Sequence, residues 1–347
     1  MKKVLILGHF GGGNNILDGQ TIKTRILYDE LKNATDWDIN TVDTYYKDSK
    51  PIRLLFQSLR ALLTTKDVIV LLSGRGMRFY FPILYYFSKI FKTRVYHDLI
   101  GGNLDIYIKK YPKFKKYLNS YVVNWSETTY VKNKMKEFGI SNFEYLPNFK
   151  RLNCISKDEL PDNYKVPLKL CTFSRVMKEK GIEDAIHAVT VANERLGQVA
   201  FTLDIYGQVD QYQHEWFESV QKDMPKYTNY GGEIPYHKST EVLKEYFALL
   251  FPTHFSMEGI PGTIIDAYAA GIPVISSKWR SFDDVVHEGK TGIGYELGNC
   301  DELIKVLLDV AKNPCVLMDM KEDCLKEAKS YLPEYNIGTI INRVEQK

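Results

Sequence analysis

FSMEGIPGTIIDAYAAGIPVIS, residues 255–276, changes periodicity twice: a Gly/Pro turn gives way to a small, apolar helix, TIIDAYAAG, and then to a strand from Pro273 to Ser276. Pro261 and Gly262 open the helix and Gly271 stops it, the usual positions for those residues. A helix amino end carries amides with no intrahelical partner, and glycines there let a ligand approach the backbone. That makes it a site for a phosphate or diphosphate. Two acids flank it, Glu258 just before the turn and Asp266 about one turn inside. A carboxylate can accept two hydrogen bonds from a vicinal diol, so one acid suits a ribose and the other a sugar ring, with the diphosphate between. On this stretch alone the two acids read equally well as a solvated loop acid and a partner of the helix dipole.

The same alternation of strand and helix runs through the chain. VLILG precedes TIKTRILYDELKN, DVIVLL precedes RFYFPILYYFSKIF, and TRVYH and YVVNW lead to ETTYVKNKMKEFG. Leu146–Pro167, with three prolines, breaks the rhythm and reads as a linker. The pattern then restarts with LKLCTFSRV, GIEDAIHAVTVANERLG, AFTLDIYGQ, QYQHEWFESVQKD and ALLFPTHF. Such alternation means parallel sheets with crossover helices. At 347 residues, two domains are expected. The first is residues 1–150 and the second 165–330, with a last helix over 333–347 packing back on the first. The fold class is α/β, two doubly wound Rossmann-like domains facing across a cleft at the carboxyl ends of their strands, where such folds bind ligands.

Composition narrows the class. At 44% hydrophobic and 26% charged, the chain is neither disordered nor fibrous. The run Val4–Leu7 is too short for a secretory signal, and FYFPILYYF falls well short of a membrane span. Five cysteines with no C-x-x-C pair favour a reducing compartment over disulfides or zinc. The net charge of +3 hides an asymmetry: residues 1–150 carry 24 Lys/Arg and 13 Asp/Glu, whereas residues 151–347 carry 22 and 30. The two halves should meet different partners.

In SRVMKEKGIEDAI, residues 174–186, Arg175 follows a strand and Lys180 precedes Gly181 and a helix. Both cations could neutralise a diphosphate leaving group without a metal, although either alone also reads as a surface cation at a turn. Together, Arg175 with Glu179-Lys180-Gly181, then Glu258, Gly259, Pro261, Gly262, Asp266, Ala267, Ala270, Gly271, Pro273, Val274 and Ile275, resemble the retaining glycosyltransferases of family 4, which have the GT-B fold. The resemblance is strong from about 170 to 295 and weak at the N-terminus. Asp266 stands where most members have Glu, one methylene shorter. The phrase EGIPGTIIDAYAAGIPVISSKW is similar to a subgroup among bacterial capsule and exopolysaccharide transferases.

The resemblance implies that Arg175 and Lys180 bind the donor diphosphate, Asp266 the ribose and Glu258 the sugar. Amides of Ile260, Pro261-Gly262 and Thr263 complete the phosphate site. It also implies that GHFGGGNNILDGQTIKTR, residues 8–25, is a loop near donor and acceptor, with Gly19 at its end. A structural strand-to-helix turn is the alternative there. His97, at the end of a strand in RVYHDLIGGN, is carried over as a contact to donor or acceptor, with a structural histidine as its alternative. Asp36 and Asp38 spell D-x-D, but fall away from the strand carboxyl ends, and no other cluster has metal-ligand spacing.

YIKKYPKFKKYL, residues 107–118, sets five lysines among aromatic residues. It reads as a docking segment for an anionic membrane surface or as a solvated helix face; no nucleic-acid motif is present. The expectation is a cytoplasmic protein, peripheral on the inner face of the membrane: a metal-independent hexosyl-type enzyme without a cofactor, moving a sugar from a UDP-sugar to a lipid-linked sugar acceptor. The alternatives are a nucleotide-sugar epimerase of the same architecture and a non-catalytic partner subunit.

Overall fold

The computed structural model describes residues 1–14, 19–161 and 163–346. The chain forms two compact units, one from Met1–Lys150 together with Tyr331–Lys347, the other from Arg151–Ser330. No helix among the described residues is long and apolar enough to cross a membrane.

The first unit is built on β1 (Lys3–Gly8), β2 (Asp38–Asp43), β3 (Asp67–Val70), β4 (Arg94–Asp98), β5 (Val123–Ser126) and β6 (Phe143–Tyr145). They form one parallel sheet in the order β2-β1-β3-β4-β5-β6. Parallel strands joined by crossover helices are covered on both faces, which is why VLIL and VIVLL, residues 4–7 and 68–72, are uninterrupted apolar runs. Successive β1 side chains enter opposite cores. Leu5 and Leu7 pack with Val68, Phe81 and Leu84, while Val4 and Ile6 pack with Leu27, Tyr96 and Trp125. The last helix, Pro333–Glu345, starts on a proline at its first position and adds Ile337, Ile340 and Val344 to that second core.

The second unit repeats the plan with β7 (Leu168–Phe173), β8 (Phe201–Tyr206), β9 (Thr228–Gly232), β10 (Ala248–Phe251), β11 (Val274–Lys278) and β12 (Gly292–Glu296). Their order is β12-β11-β10-β7-β8-β9, again all parallel. The chain leaves β7 in one direction to β8 and β9, then returns to its other side with β10. The carboxyl ends of β7 and β10 therefore bracket the point where strand order reverses, the ligand-binding position of open α/β sheets. Helix Gly262–Ala269 follows β10, and every side chain from Ile264 to Ala269 is buried. Apart from Asp266 these side chains are apolar, with one hydroxyl satisfied by a main-chain carbonyl (Tyr268 to Val285, 2.8 Å).

Strands β6, β9 and β12 and the helix Pro51–Thr64 were not among the elements read from the sequence. All three strands are short edge strands with one neighbour each.

Candidate active site

Arg175 stands two residues beyond β7. Gly207, at φ +133°, lets the turn after β8 come so close that a Cβ there would lie 1.9 Å from the Ser174 carbonyl oxygen. That approach brings Asp210 alongside, with its Oδ2 3.7 Å from Arg175 Nη1. Arg175 remains 48% exposed, a cation oriented but not consumed by its partner.

Lys180 ends the short turn Lys178–Lys180, and Gly181 then adopts φ +69° to launch helix Ile182–Leu196. A Cβ on Gly181 would lie 1.8 Å from the Pro252 carbonyl oxygen, so glycine is what allows the loops after β7 and β10 to touch. Two further contacts hold the loop after β10, one to the β7 loop and one to β11. The His254 amide donates to the Glu179 carbonyl at 2.9 Å, and the Ser277 hydroxyl to the Thr253 carbonyl at 2.6 Å. Lys180 Nζ ion-pairs with Glu258 Oε1 and lies 5.4 Å from the centre of the Phe251 ring. The buried Thr253 hydroxyl is 3.1 Å from the same Glu258 oxygen. Both members of the pair keep some exposure, 20% for Lys180 and 13% for Glu258.

Helix Gly262–Ala269 begins immediately after, capped by Pro261 in extended conformation. The Pro261 carbonyl accepts from the Ile264 amide at 3.0 Å, whereas a helix leaves its first amides outward by construction. Gly262 and Thr263 are half-buried at this end, and Asp266 is buried one turn further in. Lys180, Glu258 and the segment Ile260–Thr263 are thus brought together at the carboxyl ends of β7 and β10, where a buried helix starts, and Arg175 stands at the end of β7 against Asp210. Two cations and an outward helix dipole form an anion-binding arrangement, and the adjacent carboxylate is a hydroxyl acceptor.

Thr253, Asp210 and Gln213 support this cluster and escaped the sequence reading. Gln213 receives the Lys178 amide on its Oε1 at 2.8 Å and donates to Glu179 Oε2 at 3.1 Å. Asp210 and Gln213 follow β8, in a loop with no motif of its own; Thr253 could have been found as the hydroxyl two residues after β10.

The first unit departs from expectation. His97 does not face the open end of its sheet. It is fully buried, with Nδ1 3.1 Å from Asn124 Oδ1 and its ring edge-on to Phe81 at 5.2 Å. Burial, aided by the nearby Lys23 charge and opposed by Asn124, lowers its pKa to about 4. The ring is therefore neutral at physiological pH and enclosed, the geometry of a core histidine. Its neighbour Asp98 points to a different partner, with Lys23 Nζ 2.7 Å from Asp98 Oδ1, 2.9 Å from Glu127 Oε1 and 3.1 Å from the Leu99 carbonyl oxygen. Burial pushes the Asp98 carboxyl up to about 6 against the pull of Lys23, and the two acids hold Lys23 above its ordinary value despite its own burial. Gly19 begins helix Gly19–Ala34, and Asp18 lies outside the described residues. Asp38 opens β2 at the amino end of the sheet, the side opposite to ligands in such folds.

Residues 157–331 match the family described as Glycosyl transferases group 1. Among curated relatives, the chain is 25% identical to the amylovoran biosynthesis glycosyltransferase AmsK of Erwinia amylovora over 44% of its own length and 38% of that protein. It is 29% identical to the alpha-galactosylglucosyldiacylglycerol synthase of Streptococcus pneumoniae over 55% of its length and 51% of that protein. The chain thus spans about half or less of the curated relatives it matches. Among solved structures, sucrose-phosphate synthase from Thermosynechococcus elongatus superposes with a TM-score of 0.79 at 13% identity, covering 99% of both chains. Anabaena HepE in complex with UDP and glucose gives 0.69 at 12% identity, covering 99% of this chain and 98% of that one. At such identities the likeness establishes the fold, which is GT-B.

Proposed function

Since the chain belongs to the group 1 glycosyl transferases, we propose that it is a retaining glycosyltransferase of family 4 type. It moves a hexosyl group from a UDP-sugar to a hydroxyl of a lipid-linked oligosaccharide in the synthesis of a capsule, exopolysaccharide or related cell-surface glycan. The observation that carries the reading is the pairing of Lys180 with Glu258 just before the amino end of helix Gly262–Ala269, at the carboxyl ends of β7 and β10, with Arg175 following the end of β7.

In this reading the diphosphate lies on the outward amides of Gly262 and Thr263, with Arg175 and Lys180 as its counter-charges. Asp266 holds the ribose and Glu258 a hydroxyl of the sugar. Lys180 has two alternative anions within its reach, Glu258 and a diphosphate oxygen, so donor binding and the orientation of Glu258 are coupled through one side chain. As the glycosidic bond to the diphosphate breaks, negative charge grows on the departing oxygen. Preorganised cations and amides stabilise that charge more than they stabilise the bound donor, which is what lowers the barrier. These groups supply the charge that a metal ion supplies elsewhere, and the reaction is proposed to run without one. The departing oxygen, on the same face as the incoming hydroxyl, takes its proton.

The choice of UDP and of a lipid-linked acceptor is supported by relatives: HepE was solved with UDP-glucose, and the pneumococcal protein is named as a synthase of a glycosylated diacylglycerol. The test is a thermal-shift titration with UDP, GDP and ADP in EDTA. A ligand bound only by the folded state raises its melting temperature. The expected result is a shift with UDP that is lost in Lys180→Ala. No shift with any of the three would overturn the donor assignment, and a shift that requires added divalent cation would overturn metal independence.

A further inference from the structure

Helix Pro51–Thr64 carries apolar residues on two opposite sides. Leu54, Ser58 and Leu62 face the core, while Ile52, Phe56 and Leu63, spaced four and seven apart and thus on one stripe, are 72%, 69% and 62% exposed. The neighbouring helix Gly74–Ile90 repeats the device, with Phe79, Tyr86 and Ile90 again on one exposed stripe, continued by Phe91. The Ser58 and Tyr80 hydroxyls, 2.9 Å apart, hold the two helices together over the same core, so both stripes turn outward from one layer. Isolated exposed apolar residues need no explanation, but two outward aromatic and aliphatic stripes on helices that share one core mark an interaction site.

Its surroundings are strongly basic. From Ser49 to His97 the chain has nine Lys/Arg and a single acid, Asp67, which is buried and paired with Arg94; the exposed Asp48 just before this stretch lies 3.7 Å from Arg75 and offsets that one cation. Lys50, Arg53, Arg60, Arg75, Arg78 and Lys89 are exposed on the two helices and their approaches. A cavity of about 210 Å³ lined by Tyr46, Lys50, Arg53, Leu54 and Gln57 opens at the amino end of the first helix, with two cations for one anionic group. In residues 107–118, by contrast, Phe114 is in the core and Tyr107, Tyr111 and Tyr117 pack against it. That segment offers lysines but no apolar face.

We propose that the outward stripes of Pro51–Thr64 and Gly74–Phe91 dock on an anionic lipid bilayer, with Ile52, Phe56, Leu63 and Ile90 entering the acyl boundary. The surrounding cations, including the pair at the cavity, meet lipid phosphates. Apolar insertion beside a cationic rim is the chemistry of an interfacial helix, and neither a neutral bilayer nor an acid-free protein surface satisfies both parts. The inference rests on the proposed lipid-linked acceptor only for its purpose, not for its evidence.

The test is co-sedimentation of the full chain with phosphatidylcholine vesicles and with phosphatidylcholine–phosphatidylglycerol vesicles. It is repeated on Phe56→Glu/Leu63→Glu and on Lys109→Gln/Lys110→Gln/Lys113→Gln, with melting temperature, the UDP shift and oligomeric state measured on the same preparations. The expected result is binding to the anionic vesicles alone, reduced about ten-fold or more by the glutamates and only modestly by the glutamines, with the UDP shift unchanged. Equal binding by the glutamate variant, or loss confined to the glutamine variant, would overturn the docking surface. So would a dimer broken by the glutamates with no vesicle binding, since a second copy would then be the occupant. In each of those cases the UDP shift reports separately on the donor site.

Discussion

Each of the two parallel sheets carries, past its carboxyl ends, a lysine set between oxygen acceptors, and the two lysines live in different worlds. Lys23 is sealed among Asp98, Glu127 and the Leu99 carbonyl, all within 3.1 Å. Lys180 shares one carboxylate, Glu258, under an aromatic ring, with part of its surface open. Both sit where α/β folds place ligands. What separates them is stoichiometry of charge: two acids and burial leave Lys23 nothing to offer a ligand, whereas one acid and partial exposure leave Lys180 able to exchange its partner. A strand end becomes a site only when its charges are left incompletely satisfied by the protein itself.

The contrast can be broken first at Lys23. In Lys23→Ala the two buried acids lose their common cation, and the expected cost is about 3–5 kcal/mol of stability, read as a lower urea midpoint. A loss below about 1 kcal/mol would mean that water reaches the trio and that it resembles Lys180 after all. At Lys180 the effect should fall on rate. Lys180→Ala is expected to lower kcat for sugar transfer about 10²–10³-fold while changing stability by less than about 1 kcal/mol; a KM effect with unchanged kcat would reduce Lys180 to uniform binding.

The smallest effect concerns pH. His97 has a folded pKa of about 4 against an ordinary 6.5, so the unfolded chain takes up its proton first. Stability from this residue is complete above pH 6.5 and declines as pH falls toward 4. Asp98, raised to about 6 from 3.8, works in the opposite sense, gaining stability as pH falls through 6. The wild type should therefore show a shallow acid slope from this pair. His97→Gln removes one side only, and its stability relative to wild type should improve by about 1–2 kcal/mol between pH 7 and pH 5. An unchanged difference would show that the ring is hydrated rather than enclosed.

The alternation of apolar runs and amphipathic helices was enough to read two doubly wound units, because strands buried on both faces are unbroken runs of Val, Ile and Leu. The same property hid His97. In β4 nearly every residue is buried on whichever face it occupies, so the sequence holds no signal for which way a polar residue turns. The residues of the candidate site could be grouped from the sequence because a turn, a helix start and their glycines lie within a few positions of one another. Asp210 and Gln213 could not, since only the folded turn at Gly207 brings them to Arg175 and Glu179. Strands β9 and β12 carry glycines in place of β-branched residues, and as edge strands they need only one partner.

The helix Pro333–Glu345 gives the first unit both ends of the described chain, while the second unit is one continuous stretch between them. On the ribosome this sets an order. All the contacts within Arg151–Ser330 exist once that stretch has emerged, but the core around Val4, Leu27 and Trp125 waits for Ile337, Ile340 and Val344, more than three hundred residues after its first strand. The unit that carries the candidate site can mature first, and the unit with the outward apolar stripes stays unfinished until helix Pro333–Glu345 has emerged. Protease resistance of a released chain ending at Ser330 would be confined to the second unit.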